Sequence, residues 1–95
     1  MEKIKCAAIK YRTVSDPDND KIVSGHDHTY CREYFMCAEI RPNDLIVEVE
    51  GFLTTSDRFV DRSEAYDIAL KAGQLIYQNE SNILKSYNVK YATQD

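Results

Sequence analysis

The segment from Gly51 to Leu75, GFLTTSDRFVDRSEAYDIALKAGQL, decides the fold of this chain. It is typical of the end of a strand, then a polar loop that carries arginine, then a helix with a well-marked start. A loop held between two rigid elements is a common place for binding residues. The segment therefore predicts both a local structure and the position of a functional site.

The start of the helix is indicated residue by residue. Asp61 is the predicted N-cap, and Glu64 stands at the third position after it. In this arrangement the two side chains satisfy two backbone N–H groups that have no partner within the helix. Val60 and Ala65 flank the cap as a predicted hydrophobic staple. We therefore expect a helix that begins directly after Asp61.

The apolar positions of this helix cover more than one face. One face carries, at helical spacing, Ala65, Ile68, Ala69, Ala72, Leu75 and Ile76. A neighbouring face carries Tyr66, Leu70, Gly73 and Tyr77, and the remaining polar stripe extends to Gln78. Because this surface is wider than one sheet requires, it predicts a second partner, either another helix or another chain. We take this as an indication of a homo-oligomer.

Length and composition place the chain among small folded proteins. Its 95 residues are predicted to form one domain, residues 1–95, with 43% hydrophobic and 29% charged residues. No apolar run approaches the roughly 18 residues of a membrane span. The first residues, MEKIKCAAIKYR, predict a strand and not a signal peptide, so we expect a cytoplasmic protein. A net charge of −4 argues against general nucleic-acid binding.

The rest of the chain predicts one more helix and four strands. The predicted elements are a strand at Lys3–Arg12, a turn at Ser15–Asp20, a strand at Lys21–Ser24, a helix at His28–Glu39 capped by Asp27 or Thr29, a strand at Leu45–Phe52, and a last strand at Tyr87–Tyr91. This order predicts an α+β fold, in which two helices pack against a small antiparallel or mixed sheet.

Three cysteines, Cys6, Cys31 and Cys37, follow no zinc-binding spacing. A cytosolic chain keeps its thiols reduced, so we interpret them as small apolar core residues. A nucleophilic role for Cys31 beside His28 is less favoured, because no nearby group predicts an oxyanion hole.

Two other clusters have a chemical and a structural interpretation. His26-Asp27-His28 offers two imidazoles and a carboxylate to a metal, but it also suits a solvated or helix-capping turn, or a polar ligand contact. Glu48 and Glu50 share one face of a strand, where they suit acid–base chemistry, magnesium binding or simple solvation. Neither cluster predicts a catalytic site or a metal site by itself.

The loop from Thr54 to Phe59 differs in kind from these clusters. It combines hydroxyl groups with the guanidinium of Arg58, and it lies between two aromatic residues, Phe52 and Phe59. An aromatic ring stacks on a base, an arginine binds phosphate, and hydroxyls or carboxylates bind ribose. The loop therefore suits a nucleotide, although a polar turn whose phenylalanines fill the core has the same composition.

Several stretches together resemble a known family. They are Ile4–Lys10, Gly25–His28, Gly51–Thr54, Arg58–Arg62, Glu64–Ala65 and Ala72–Leu75. This pattern resembles small phage-encoded proteins that include the Thoeris anti-defence sponge family. The later stretch from Ser86 to Tyr91 matches the family pattern only in part.

The resemblance implies a non-enzymatic protein that binds a cyclic ADP-ribose isomer or a cyclic oligonucleotide and hides it from immune effectors. It also implies a dimer or higher oligomer in the cytoplasm of an infected bacterium, with no cofactor, no metal and no catalytic residue. The ligand contacts that it implies are Phe52, Arg58, Phe59, Asp61, His28 and Gln74.

Two other functions remain open at this point. The first is a phage protein that binds and inhibits a host protein through the wide apolar helix, with Tyr66 and Tyr77 in the contact. The second is a small metal-dependent hydrolase that uses His26 and His28.

Overall fold

The chain folds into four strands and two main helices. A computed structural model describes residues 1–77 and 81–92. The elements are β1 (Ile4–Thr13), β2 (Asp16–Gly25), α1 (His28–Cys37), β3 (Leu45–Thr54), β4 (Phe59–Asp61) and α2 (Arg62–Lys71), with short 3-10 helices at Pro42–Asp44 and Ser86–Asn88. No helix within the described residues is long and apolar enough to cross a membrane.

The strands form one antiparallel sheet in the order β2-β1-β3-β4. Both helices lie on the same face, because Arg32 of α1 and Arg62 of α2 reach opposite oxygens of the Glu50 carboxylate, at 3.3 and 3.4 Å. In the described part of the chain, no helix lies on the other face, which we call the open face. The predicted α+β fold is confirmed in its antiparallel form.

The strand register assigns each residue to a face, since directly paired residues share one. Ala7 pairs with Phe52, and Phe52 with Val60, so these three side chains lie beneath the helices. All three are buried, and α1 and α2 add Phe35 and Ala69 to the same core. Burial of one large apolar side chain stabilises the fold by roughly 1.5–3 kcal/mol. The core therefore lies between one face of the sheet and the two helices.

The predicted turn at Ser15–Asp20 is wrong in position. The chain turns at residues 14–15, and Asp16 to Asp20 already belong to β2. These residues are polar turn formers, but β2 is an edge strand whose first half is largely exposed, so they do not have to bury a polar group. Pairing with β1 holds them, and Arg12 bonds Asp20 at 2.8 Å.

The starts of both helices follow the predictions. Asp27, not Thr29, caps α1 and accepts a hydrogen bond from the Tyr30 N–H at 2.7 Å. Asp61 caps α2 and accepts one from the Glu64 N–H at 2.8 Å, but the reciprocal bond of the predicted capping box does not form, because the Glu64 carboxylate binds Arg58 instead. These bonds satisfy backbone donors that have no partner within the helix.

Both helices end earlier than predicted. α1 ends at Cys37 and α2 at Lys71, and each is followed by a residue in the left-handed conformation, Glu39 at φ 58° and Gly73 at φ 70°. A left-handed residue at this position turns the chain away from the helix axis. Gln78, at the predicted end of the second helix, lies outside the described residues.

The C-terminal part differs most from the prediction. The predicted strand at Tyr87–Tyr91 does not form; a 3-10 helix occupies Ser86–Asn88, and Val89 makes an isolated bridge with Leu75. The three-residue strand β4 was not predicted, since so short a segment has no measurable period. Tyr66, predicted for a partner surface, is buried in the core.

Candidate ligand-binding site

The six predicted ligand contacts occupy four places in the fold. His28 and Phe52 lie in the core, Arg58 and Asp61 lie at the start of α2, Gln74 lies beside the first residue of β1, and Phe59 lies on the open face. The structure brings together the members of the first two pairs. His28 and Phe52 lie on the other side of the sheet from Phe59, whereas Asp61 pairs with Gly51 and so shares the face of Phe59. Gln74 lies apart from all of them, beside Ile4.

His28 and Phe52 contact each other beneath the helices. Their rings meet edge to face with centroids 5.1 Å apart, and the Nε2–H of His28 donates to the Gly51 carbonyl at 2.8 Å. Burial lowers the pKa of His28, because the charged ring loses its hydration. These contacts anchor α1 to β3, which is a structural role.

Arg58 is exposed, but its guanidinium already binds two carboxylates. Nη2 lies 2.8 Å from Glu2, and Nη1 lies 2.6 Å from Glu64. The hydrogen bond from Arg58 is the main cause that lowers the pKa of Glu2. A phosphate at Arg58 has to displace at least one of these carboxylates, while Asp61 next to it is bound to the backbone as the cap of α2.

Gln74 holds the C-terminal segment against β1. Its side-chain oxygen accepts from the Ile4 N–H at 2.8 Å, and its amide nitrogen donates to the Ile4 carbonyl at 2.8 Å and to the Lys90 carbonyl at 3.0 Å. The side chain is buried. Because the Gln74 side chain already makes three hydrogen bonds to backbone groups, it has few donors or acceptors left for a ligand.

Phe59 lies with the edge of its ring over a glycine on the open face. A Cβ atom at Gly51 would lie 2.2 Å from the Val60 carbonyl oxygen and 2.6 Å from Cζ of Phe59, so only glycine fits beneath the ring. The ammonium group of Lys10 lies 5.6 Å from the centre of the same ring. A cation therefore lies over an aromatic ring on the uncovered face of the sheet.

A second cation extends this group, which we call the Phe59 platform: Phe59, Gly51, Lys10 and Arg12. Arg12 lies two residues from Lys10 on the same face of β1, and both cations share Asp20, at 2.8 and 3.8 Å. Two positive charges thus face one negative charge. Lys10 and Arg12 were not predicted as site residues. Their alternation with Ile9 and Tyr11 along β1 is the sequence signal that places them on the face opposite the core.

Glu48 and Glu50, predicted as a solvated strand face, take part in an ionic network beneath the helices. Arg32 contacts both carboxylates, and Arg62 contacts Glu50 and donates to the Leu84 carbonyl at 2.7 Å. The two arginines lower the pKa of Glu50 against the opposing effect of its burial. The network links α1, β3 and α2.

The histidine cluster does not converge on one point. The His26 ring is exposed and lies 3.0 Å from Asp27, whereas His28 points into the core. Within residues 1–77 and 81–92, no group of three His, Cys, Asp or Glu side chains is arranged as metal ligands.

The three cysteines have different environments. Cys31 is buried as predicted, Cys6 is half-buried, and Cys37 is exposed, so the prediction of a core position is wrong for Cys37. Burial raises the pKa of Cys31 to about 11 and disfavours the thiolate that a nucleophile needs.

Comparisons with known proteins give a family. Neither the curated proteins nor the solved structures contain a match to the chain. One protein-family model, described as Phage T4 y16D protein, matches residues 3–89. This match runs from the residue before β1 to the bridge that closes the C-terminal segment, and so includes every strand and helix of the fold. The chain therefore belongs to the phage T4 y16D protein family.

Proposed function

We propose that this phage protein binds and sequesters a cyclic nucleotide immune signal, without turnover, in the cytoplasm of the infected bacterium. The ligand class is a cyclic ADP-ribose isomer or a cyclic oligonucleotide. The observation that carries the proposal is the Phe59 platform, where an aromatic ring and the Lys10 ammonium lie 5.6 Å apart on the open face.

The platform offers the two kinds of contact that a nucleotide needs. Stacking of a base on an aromatic side chain stabilises a complex by about 1–3 kcal/mol. Lys10 and Arg12 share the single carboxylate of Asp20, so the group retains positive charge for a phosphate. Phe59 is also among the residues that the resemblance to the sponge family implies.

Sequestration favours a second copy of the chain. A ligand stacked on the open face of one chain has its other side in water, whereas small-molecule sites bury most of the ligand surface. Ile22 and Val49 lie on this face and are 47% and 39% exposed. We propose that two open faces enclose the ligand, which accounts for the homo-oligomer expected from the sequence.

Calorimetry with the purified protein tests the proposal. The panel consists of cyclic ADP-ribose isomers and of cyclic di- and trinucleotides, each titrated at protein concentrations well above micromolar. We expect at least one member to bind with a stoichiometry of one ligand or fewer per chain. Absence of binding heat across the whole panel would overturn the proposal.

A matched pair of variants assigns the site. Phe59→Ala and Lys10→Ala should each weaken binding about tenfold or more, the effect of losing one base stack or one phosphate contact. The chain offers a control, because Lys85 lies 5.8 Å from the ring of Tyr87 in a second cation–π pair. Tyr87→Ala and Lys85→Ala should leave the affinity unchanged, and circular dichroism checks that all four variants fold.

The fate of the ligand separates binding from catalysis. After heat denaturation of the complex, we expect the ligand to be recovered chemically intact, as judged by mass spectrometry. Hydrolysis products in place of the intact ligand would show an enzyme and would contradict sequestration.

A further inference from the structure

A groove lies between α1 and the outer edge of the sheet, away from the Phe59 platform. It has a volume of about 330 Å³ and is lined by Val23, Ser24, Tyr30, Glu33, Tyr34 and Cys37. Tyr30 and Tyr34 form one wall and are 51% and 47% exposed. The other wall is the second half of β2.

The tyrosine wall is held in place by contacts within the fold. The Tyr30 ring lies so close to Gly25 that any Cβ atom there would collide with it, and it packs on His26 with centroids 4.9 Å apart. The ring of Tyr34 contacts that of Phe35 edge to face, with centroids 6.3 Å apart. A partner therefore meets a surface that is already formed, which lowers the entropic cost of binding.

The wall formed by β2 is a sheet edge. β2 is the terminal strand of the sheet, so the backbone groups on its outer side have no strand partner within the described residues. Its first half carries charged residues and Pro17, which are devices that protect an edge from pairing. The half beside the groove, Ile22 to Gly25, has no charge and no proline.

The charged side chain that lines the groove is negative. It is Glu33 of α1, whose carboxylate has no ion pair within the described residues. Lys21, the nearest cation on β2, lies 3.2 Å from Asp16. The groove therefore favours a positively charged partner.

We propose that this groove binds an extended, basic peptide segment of another protein by strand addition to β2. The peptide backbone pairs with the free edge at Ile22–Gly25, and alternate side chains enter the space beside Tyr30 and Tyr34. A lysine or arginine of the peptide pairs with Glu33. A second copy of this chain suits the groove less well, because edge-to-edge pairing brings two Glu33 carboxylates towards each other.

Selection from a random 12-residue peptide library displayed on phage tests the proposal. The native protein is the bait, and the double variant Glu33→Lys/Tyr34→Ala is used for counter-selection. We expect enriched peptides with Lys or Arg alternating with apolar residues. Their binding should fall at least tenfold in each single variant, as measured by fluorescence anisotropy with synthetic peptides.

Controls and mapping make the result specific. Asp67→Lys reverses an exposed carboxylate on α2, and Tyr87→Ala removes an exposed tyrosine elsewhere; both should bind the peptides as the native protein does. An N-methylated peptide should lose binding, and amide shifts in NMR spectra should centre on Ile22–Gly25. The proposal is overturned if no peptide prefers the native protein over the double variant, if the shifts map to another surface, or if β2 is occupied by a second copy in solution.

Discussion

At the scale of single residues, the environment decides between a structural and a binding role. Aromatic, cationic and carboxylate side chains suit a nucleotide site, and they suit a core contact, an ion pair or a helix cap equally well. Phe52 and Phe59 show the difference: one fills the core and the other lies on the open face. The family resemblance implied both as ligand contacts, and their identical side-chain chemistry could not distinguish them.

His28 makes the stability of the fold depend on pH. Burial lowers its pKa in the folded state below the ordinary value of about 6.5 in the unfolded chain. Above that pH the ring is neutral in both states, and as the pH falls below it the unfolded state takes up the proton first. We therefore expect the free energy of unfolding to decrease between pH 7.5 and 5.5, by about 1.4 kcal/mol for each unit between the two pKa values.

Urea unfolding at the two pH values measures this decrease. His28→Gln should be less stable than the native chain at pH 7.5, but its stability should change less with pH. His26→Gln is the matched control, because it makes the same substitution at an exposed ring outside the core. An unchanged decrease in His28→Gln would assign the effect to other groups.

At the scale of elements, the sequence predicts where a helix begins better than where it ends. The caps Asp27 and Asp61 have a local side-chain signal, and the structure confirms both. The end of α2 depends on a left-handed Gly73 and on tertiary bonds of Gln74, which have no local signal. β2 was predicted too short for a related reason, since its polar half owes its conformation to pairing with β1.

Substitutions of Asp61 test whether this residue stabilises the fold as a helix cap, as opposed to serving only as a ligand contact. Asp61→Ala removes the acceptor for the Glu64 N–H and should lower the free energy of unfolding by about 1 kcal/mol. Asp61→Asn keeps a hydrogen-bond acceptor and should lower the free energy of unfolding by a smaller amount. Chemical denaturation measures both, and Asp27→Ala, which removes the cap of α1, is the comparison. Equal stability of Asp61→Ala and the native chain would show that the cap contributes nothing.

At the scale of the whole molecule, both helices cover one face of the sheet and leave the open face without a helix in the described part of the chain. The α+β class was predictable, because the order of periodic segments indicates it and the face alternation of β3 is clear in the sequence. The open face was not predictable, since strand order and the side chosen by each helix depend on contacts across the chain. For that reason the sequence could place Lys10 and Arg12 on the face opposite the core, but it could not place them beside Phe59 and Gly51.

The open face predicts weak self-association. Three strands of ten residues and one of three give a face of roughly 500 Å² at ordinary strand spacings, so two faces bury about 1,000 Å². This area is near the lower limit for a specific interface. We expect a dimer in sedimentation velocity experiments at tens of micromolar protein, strengthened by the cyclic nucleotide.

One valine and one isoleucine of β3, Val49 and Ile46, provide the test of that dimer. Val49→Lys places a charge on the open face and should give a monomer. Ile46→Lys introduces the same charge on the opposite face, where Ile46 is 53% exposed, and should leave the dimer intact. A native chain that stays monomeric at these concentrations contradicts the proposal.

The hydrogen bonds between the Gln74 side chain and Ile4 affect the order of folding during synthesis. Ile4 is bound by the side chain of Gln74, and its carbonyl also accepts from the Ala92 N–H at 3.0 Å. During synthesis Ile4 leaves the ribosome well before Gln74 and Ala92 do. The amino-terminal end of the central strand β1 is therefore secured only after about 90 residues have been made, so this contact forms late in folding.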